Sequence, residues 1–81
     1  MKIDLQIAYN DGTTKDVSAV APDLVAFEAK FDLSIARLEQ PKFTHLLFLA
    51  WHVEKRTKSV SLEFEPWVET VELVKVTQAK K

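Results

Sequence analysis

The fourteen residues from Phe43 to Arg56 leave this chain little choice of architecture. At about 100° per residue, Phe43, Leu46, Leu49, Ala50 and Val53 fall on one wide stripe of a helix. Leu47, Phe48 and Trp51 carry the apolar surface round its flank, and only His45, His52 and Arg56 make a sustained polar face. A helix so apolar has to be central. The rest of an 81-residue chain must cover it on several sides, and one face more than an intramolecular core needs is left for another molecule.

The flanking segments supply a sheet and two further helices. From Lys2 to Tyr9 the apolar Ile3, Leu5, Ile7 and Tyr9 alternate with Lys2, Asp4, Gln6 and Ala8, the period of a strand with one buried face. Asn10-Asp11-Gly12 holds the only glycine of the chain and predicts a tight turn, so that Thr13 to Val17 pairs back antiparallel. Pro22 suits the first turn of a helix and Asp23 its positive end; Leu24, Phe27 and Phe31 share one face, and the helix is expected to end near Asp32. Residues 32–40 read as a structured connector, with Ser34 capping a short turn that carries Ile35 and Leu38 inward. Val60, Leu62 and Phe64 alternate briefly before Glu65-Pro66 opens a third helix with Trp67, Val68, Val71 and Val74 inward. Residues 1–76 therefore form a single α+β domain, a β-hairpin packed against about three helices, with a β-grasp-like arrangement as the competing fold. Residues 77–81 lack an apolar anchor and form a flexible tail.

Composition narrows the class of function. Eleven Lys and Arg against twelve Asp and Glu give a net charge of −1, so no global field draws the chain to nucleic acid or to an anionic membrane. The absence of Cys removes disulfides, thiolate metal sites and thiol redox chemistry, in keeping with the cytoplasm. Met1-Lys2-Ile3-Asp4 turns to alternating polar residues at once, without the apolar region of a signal peptide, and no apolar run nears the ~18 residues of a membrane span. A soluble domain that is not exported is expected. Two Trp, five Phe and one Tyr are more aromatic surface than so few elements readily bury, which points to a partner.

No constellation of reactive groups stands out. His45 and His52 lie seven residues apart on nearly one helix face, where metal pairs use spacings of three or four, so they read as solvated residues and no metal or cofactor is expected. Glu63, Glu65, Glu69 and Glu72 form an acidic cluster without the unequal surroundings that acid–base chemistry needs, and read as an exposed face. Ser34, Ser59 and Ser61 lack a nucleophile-elbow context, and one glycine rules out phosphate-cradling loops. Lys55, Arg56 and Lys58 complement a helix C-terminus and have no interleaved aromatic, which argues against a nucleic-acid site. The chain reads as a binding protein and not as an enzyme.

Three segments carry a family resemblance. Asp23-Leu24-Val25-Ala26-Phe27-Glu28 with Phe31, His45-Leu46-Leu47-Phe48-Leu49-Ala50-Trp51-His52, and Phe64-Glu65-Pro66-Trp67-Val68-Glu69-Thr70-Val71 follow one another in an order that resembles the short tail assembly chaperones of siphophages and related prophages. The likeness spans nearly the whole chain. It implies a protein of the bacterial host cytoplasm that coats the tape measure protein, keeps its long apolar helix soluble, and is displaced as tail tube protein polymerises around it. It also implies a longer, frameshifted companion. A head–tail connector or another phage structural adaptor is the alternative.

Together these readings place Ile3, Leu5, Ile7, Leu24, Phe27, Phe31, Leu46, Leu49, Val53, Trp67 and Val71 in the core. They place the protein-binding surface on the flank of the central helix, with Phe48 and Trp51 partly exposed and Leu47 and Lys55 beside them. Self-association follows from the same surplus of apolar helix surface.

Overall fold

The computed structural model describes residues 2–34 and 42–77. Strands β1 (Ile3–Tyr9) and β2 (Thr14–Ala19) form the expected antiparallel hairpin, followed by helices α1 (Ala21–Phe31), α2 (Phe43–Arg56) and α3 (Phe64–Val68) and by a third strand, β3 (Val71–Val76). The sheet order is β2-β1-β3, with both pairings antiparallel. This is the expected α+β class. A β-grasp, which pairs its first and last strands in parallel, is not what forms.

The hairpin turn depends on Gly12. Its N–H donates to the Tyr9 carbonyl at 3.0 Å while Tyr9 N–H donates to Thr13 O at 2.8 Å, and the chain passes through φ +93° at Gly12. A side chain is disfavoured at that φ. Asp11 Oδ1 supports the turn by accepting from the Thr13 amide and hydroxyl at 3.0 and 2.7 Å. Along β1 the odd residues Leu5 and Ile7 are buried toward the helices. On the open face the Ser18 hydroxyl donates to Asp4 Oδ1 at 2.7 Å, and Gln6 reaches Asp16.

Helix α1 has the predicted proline in its first turn and ends with Asp32 in the left-handed region, φ 54°, its N–H closing on Glu28 O. The expected third helix is cut short. After one and a half turns the Thr70 hydroxyl and amide both bond to Trp67 O, and Val71 begins a strand. Val71 and Val74 satisfy a helical spacing from Trp67, but Val-Glu-Leu-Val-Lys-Val is rich in β-branched residues, and β1 in a two-stranded sheet would leave one row of backbone groups unpaired. Pairing with β3 satisfies that row, with a bulge between Ala8 and Tyr9. The ladder runs on to Thr77, whose N–H donates to Asp4 O at 2.9 Å, so Thr77 is not part of a loose tail. The expected tail beyond it and the turn carrying Ile35 and Leu38 lie outside the described residues.

Helix α2 packs against α1, α3 and all three strands. The core is Leu5, Ile7, Ala19, Leu24, Phe27, Leu47, Phe48, Leu49, Ala50, Val53, Trp67 and Val74. Seven of the eleven expected core residues are among these. Ile3, Phe31, Leu46 and Val71 are only partly buried and pack on the periphery. Among the described residues no helix is long and apolar enough to cross a membrane. Leu49→Ala is expected to cost about 3 kcal/mol of unfolding free energy. Leu62→Ala, at a residue 43% exposed, should cost less than about 0.5 kcal/mol. Denaturant melts with equal losses for the two would contradict this placement of the core.

Candidate protein-binding surface

The flank of α2 is covered more fully than its own sequence indicates. Phe48, expected to be partly exposed, is 6% exposed, and Leu47 is 7% exposed, so both are core residues. The cause is a layer of aromatic rings from other elements. Phe48 lies 5.5 Å from Phe31, 6.5 Å from Phe27 and 6.1 Å from Phe64, ring centroid to centroid. These are offset and edge-on geometries that favour aromatic pairs. The α1 rings cover one side of Phe48, and Phe64 arrives on another from the start of α3.

Trp51 and Lys55 remain at the surface. Trp51 is half-buried: its ring meets Phe64 at 5.6 Å and Phe48 at 5.8 Å, and its Nε1–H donates to Leu62 O at 3.0 Å. That bond ties α2 to the 57–63 segment. Lys55 Nζ stands 5.4 Å over the Trp51 ring and 3.1 Å from Glu63 Oε2. Leu62 is exposed and Phe64 partly buried beside them. The four residues make a small apolar patch, Trp51, Leu62 and Phe64, with a cation at its rim. Leu62 and Phe64 were not among the expected site residues. Their brief alternation with Val60 carried no site signal, and only the fold brings that segment against α2.

Neither histidine is the free, solvated residue expected: His45 is buried and His52, though partly exposed, is engaged. His45 is buried, edge-on to Phe27 at 5.2 Å and Phe31 at 4.8 Å, and its Nδ1 accepts from the Lys42 amide at 3.1 Å, closing the start of α2. His52 Nδ1 lies 2.6 Å from Asp23 Oδ1. Among the described residues no group of three or more His, Cys, Asp or Glu side chains is placed to hold a metal ion.

Asp23 anchors a buried polar cluster that was not anticipated. Its carboxylate is fully buried and accepts from the Val20 amide at 2.9 Å, from Arg56 Nε at 3.0 Å and from Arg56 Nη2 at 2.9 Å. Arg56, expected to be a solvated helix end, is thus the bidentate partner of an interior carboxylate. The sequence signal was an Asp four residues before Phe27, on the buried face of α1. Glu54 is a second interior carboxylate: Lys15 Nζ reaches its Oε1 at 3.2 Å, while its Oε2 and the Trp67 indole N–H are buried with no hydrogen-bond partner among the described residues. A shallow cleft of about 280 Å³ runs past Lys15, Val17, Glu54, Arg56 and Ser59, but its two cations are already paired with Glu54 and Asp23. By contrast Glu63, Glu65, Glu69 and Glu72 are exposed, as expected.

Burial by itself would raise the Asp23 carboxyl, but Arg56, the Val20 amide and His52 outweigh it and hold the group below its ordinary value of 3.8. A carboxyl depressed in the folded state contributes stability that is present above its unfolded value and lost as pH falls through the folded one. Stability should therefore decline on acidification below about pH 4. Asp23→Asn should cost about 3 kcal/mol at neutral pH by leaving Arg56 without its anion, and should flatten the acid limb of a stability–pH curve. An acid limb of unchanged steepness in the variant would contradict this role. Comparisons of the chain with models of protein families, with curated proteins and with solved structures find no match.

Proposed function

We propose that this domain is a non-catalytic tail assembly chaperone of the siphophage type, which binds the apolar helix of a tape measure protein and holds it soluble until tail tube protein assembles around it. The observation that carries the reading is the patch of Trp51, Leu62 and Phe64 on the side of α2 that α1 leaves uncovered. An amphipathic or apolar helix is recognised by such a surface of aromatic and aliphatic side chains, with a rim charge setting orientation. The resemblance supports the same reading. Its three segments fall on α1, on α2 and on the α3–β3 junction, and all three contribute to the aromatic layer behind the patch or to the patch itself. Lys55 stays in the binding surface, whereas Phe48 and Leu47 act beneath it by holding Trp51 in place. The reading includes self-association, because several copies are needed along one long helix, and places the protein in the cytoplasm of the bacterial host.

The test is co-expression with the tape measure protein of the phage or prophage that encodes the chain, scored by the soluble fraction of tape measure protein and by its co-purification. Trp51→Ala should remove ~2 kcal/mol or more of that association. It should cost less fold stability than the ~3–5 kcal/mol of a fully buried aromatic, because part of the ring stays exposed. A Trp51→Ala variant that is folded and still solubilises the tape measure protein to the wild-type extent would overturn the reading.

A further inference from the structure

The backbone directions along the sheet identify what its two outer edges offer. Tyr9 N–H donates to Thr13 O, so the odd residues of β1 turn their backbone groups to β2, and Thr77 N–H donates to Asp4 O, so the even ones turn to β3. With the observed registers, Lys15, Val17 and Ala19 of β2 and Leu73 and Lys75 of β3 face β1. The backbone groups of Thr14, Asp16 and Ser18 face outward on one edge, and those of Glu72, Val74 and Val76 on the other. Exposed strand edges are templates for pairing unless charge or shape protects them.

The two edges are unlike. Strand β2 exposes Thr14, Lys15 and Asp16, and Lys15 points inward to Glu54, a device that discourages strand addition. A twofold pairing centred on β2 would set Asp16 against its own copy. Strand β3 instead exposes Leu73 at 40% and Val76 at 45%, two of the six large apolar side chains left open among the described residues. Centred on Val74, a twofold antiparallel pairing sets Val74 against the partner's Val74, Glu72 against the partner's Val76, and Leu73 against the partner's Lys75. No like charges meet, and Leu73 covers the alkyl stem of the lysine. A shift of one step toward the C-terminus brings Lys75 against the partner's Lys75, which disfavours that slip.

We propose that β3 pairs with β3 of a second copy of this chain, joining two three-stranded sheets into one six-stranded antiparallel sheet. The pairing uses the sheet edge alone and leaves Trp51, Leu62 and Phe64 free, so it stands whether or not the tape measure reading does. One five-residue strand pair is a small interface, and association on the order of tens of micromolar is expected.

Sedimentation equilibrium of the full chain should show a concentration-dependent approach to twice 9.3 kDa. Leu73→Lys faces the partner's Lys75 with a like charge, twice per dimer by symmetry, and should weaken association roughly tenfold or more. Leu73→Glu faces the same lysine with an opposite charge and should retain the dimer. Val76→Pro removes an outward N–H without touching the bonds to β1 and should also dissociate it. Circular dichroism establishes that each variant is folded. A single 9.3-kDa species up to about 1 mM would overturn the proposal. So would a Leu73→Glu variant that dissociates as far as Leu73→Lys, or a folded Val76→Pro variant that still dimerises fully.

Discussion

The Asp23 carboxylate is the constraint around which this fold is organised. It sits in the first turn of α1, fully buried, where it accepts the Val20 amide, and it receives both Arg56 and His52 from the last turns of α2. A buried ion pair adds little net stability, because desolvation offsets most of the Coulomb attraction. What it supplies is registry: the start of α1 is held against the end of α2, so the two helices run antiparallel. Leu24, Phe27 and Phe31 then land along α2, where His45 and Phe48 receive the two Phe rings. Were the helices displaced by one turn, a charged group would be left without a partner in the interior, at a cost larger than that of a misplaced methyl group.

The ring layer follows from that registry. Phe48 fills the space between α1 and α2, and Phe64 closes over it from the segment that leads into α3. Trp51 is held at the margin by Phe48 behind it and by its bond to Leu62 O in front. A partly exposed indole fixed by one hydrogen bond and by ring contacts with Phe48 and Phe64 loses little conformational freedom when a partner docks, which is the property that makes tryptophan effective at interfaces. Packing in the core and availability at the surface are therefore coupled through the same few residues.

Periodicity made the hairpin, α1 and the whole of α2 legible, because each is a local pattern closed by a local signal: Gly12, Pro22 and the uninterrupted apolar run of α2. What it left unread depended on distant partners. Val71 and Val74 fit a helical spacing as well as a strand, and the need of β1 for a second neighbour decided between them. A helical wheel ranks Phe48 and Leu47 as flank residues, yet cannot tell that Phe64, sixteen residues after Phe48, lies over that flank. His52 looked polar on its helix because Asp23, which binds it, comes from α1, and His45 because the rings of Phe27 and Phe31 that enclose it come from α1 as well, although its Lys42 partner is local to the start of α2. Of the surface residues chosen from sequence, Trp51 and Lys55 are where the patch lies, while Leu62 and Phe64 complete it through a tertiary contact with no sequence signature.

The two indole groups make the proposed binding surface directly observable. Trp67 is 1% exposed beneath the sheet and Trp51 stands in the patch, and the chain has no third tryptophan. In a ¹⁵N–¹H correlation spectrum of the labelled domain, titrated with tape measure protein, the Trp51 indole resonance should shift or broaden together with the amides of Leu62 to Phe64. The Trp67 indole should hold its position. Perturbations confined to the open face of the sheet, around Asp4, Asp16 and Ser18, with Trp51 unmoved, would contradict the assignment of this surface to the partner.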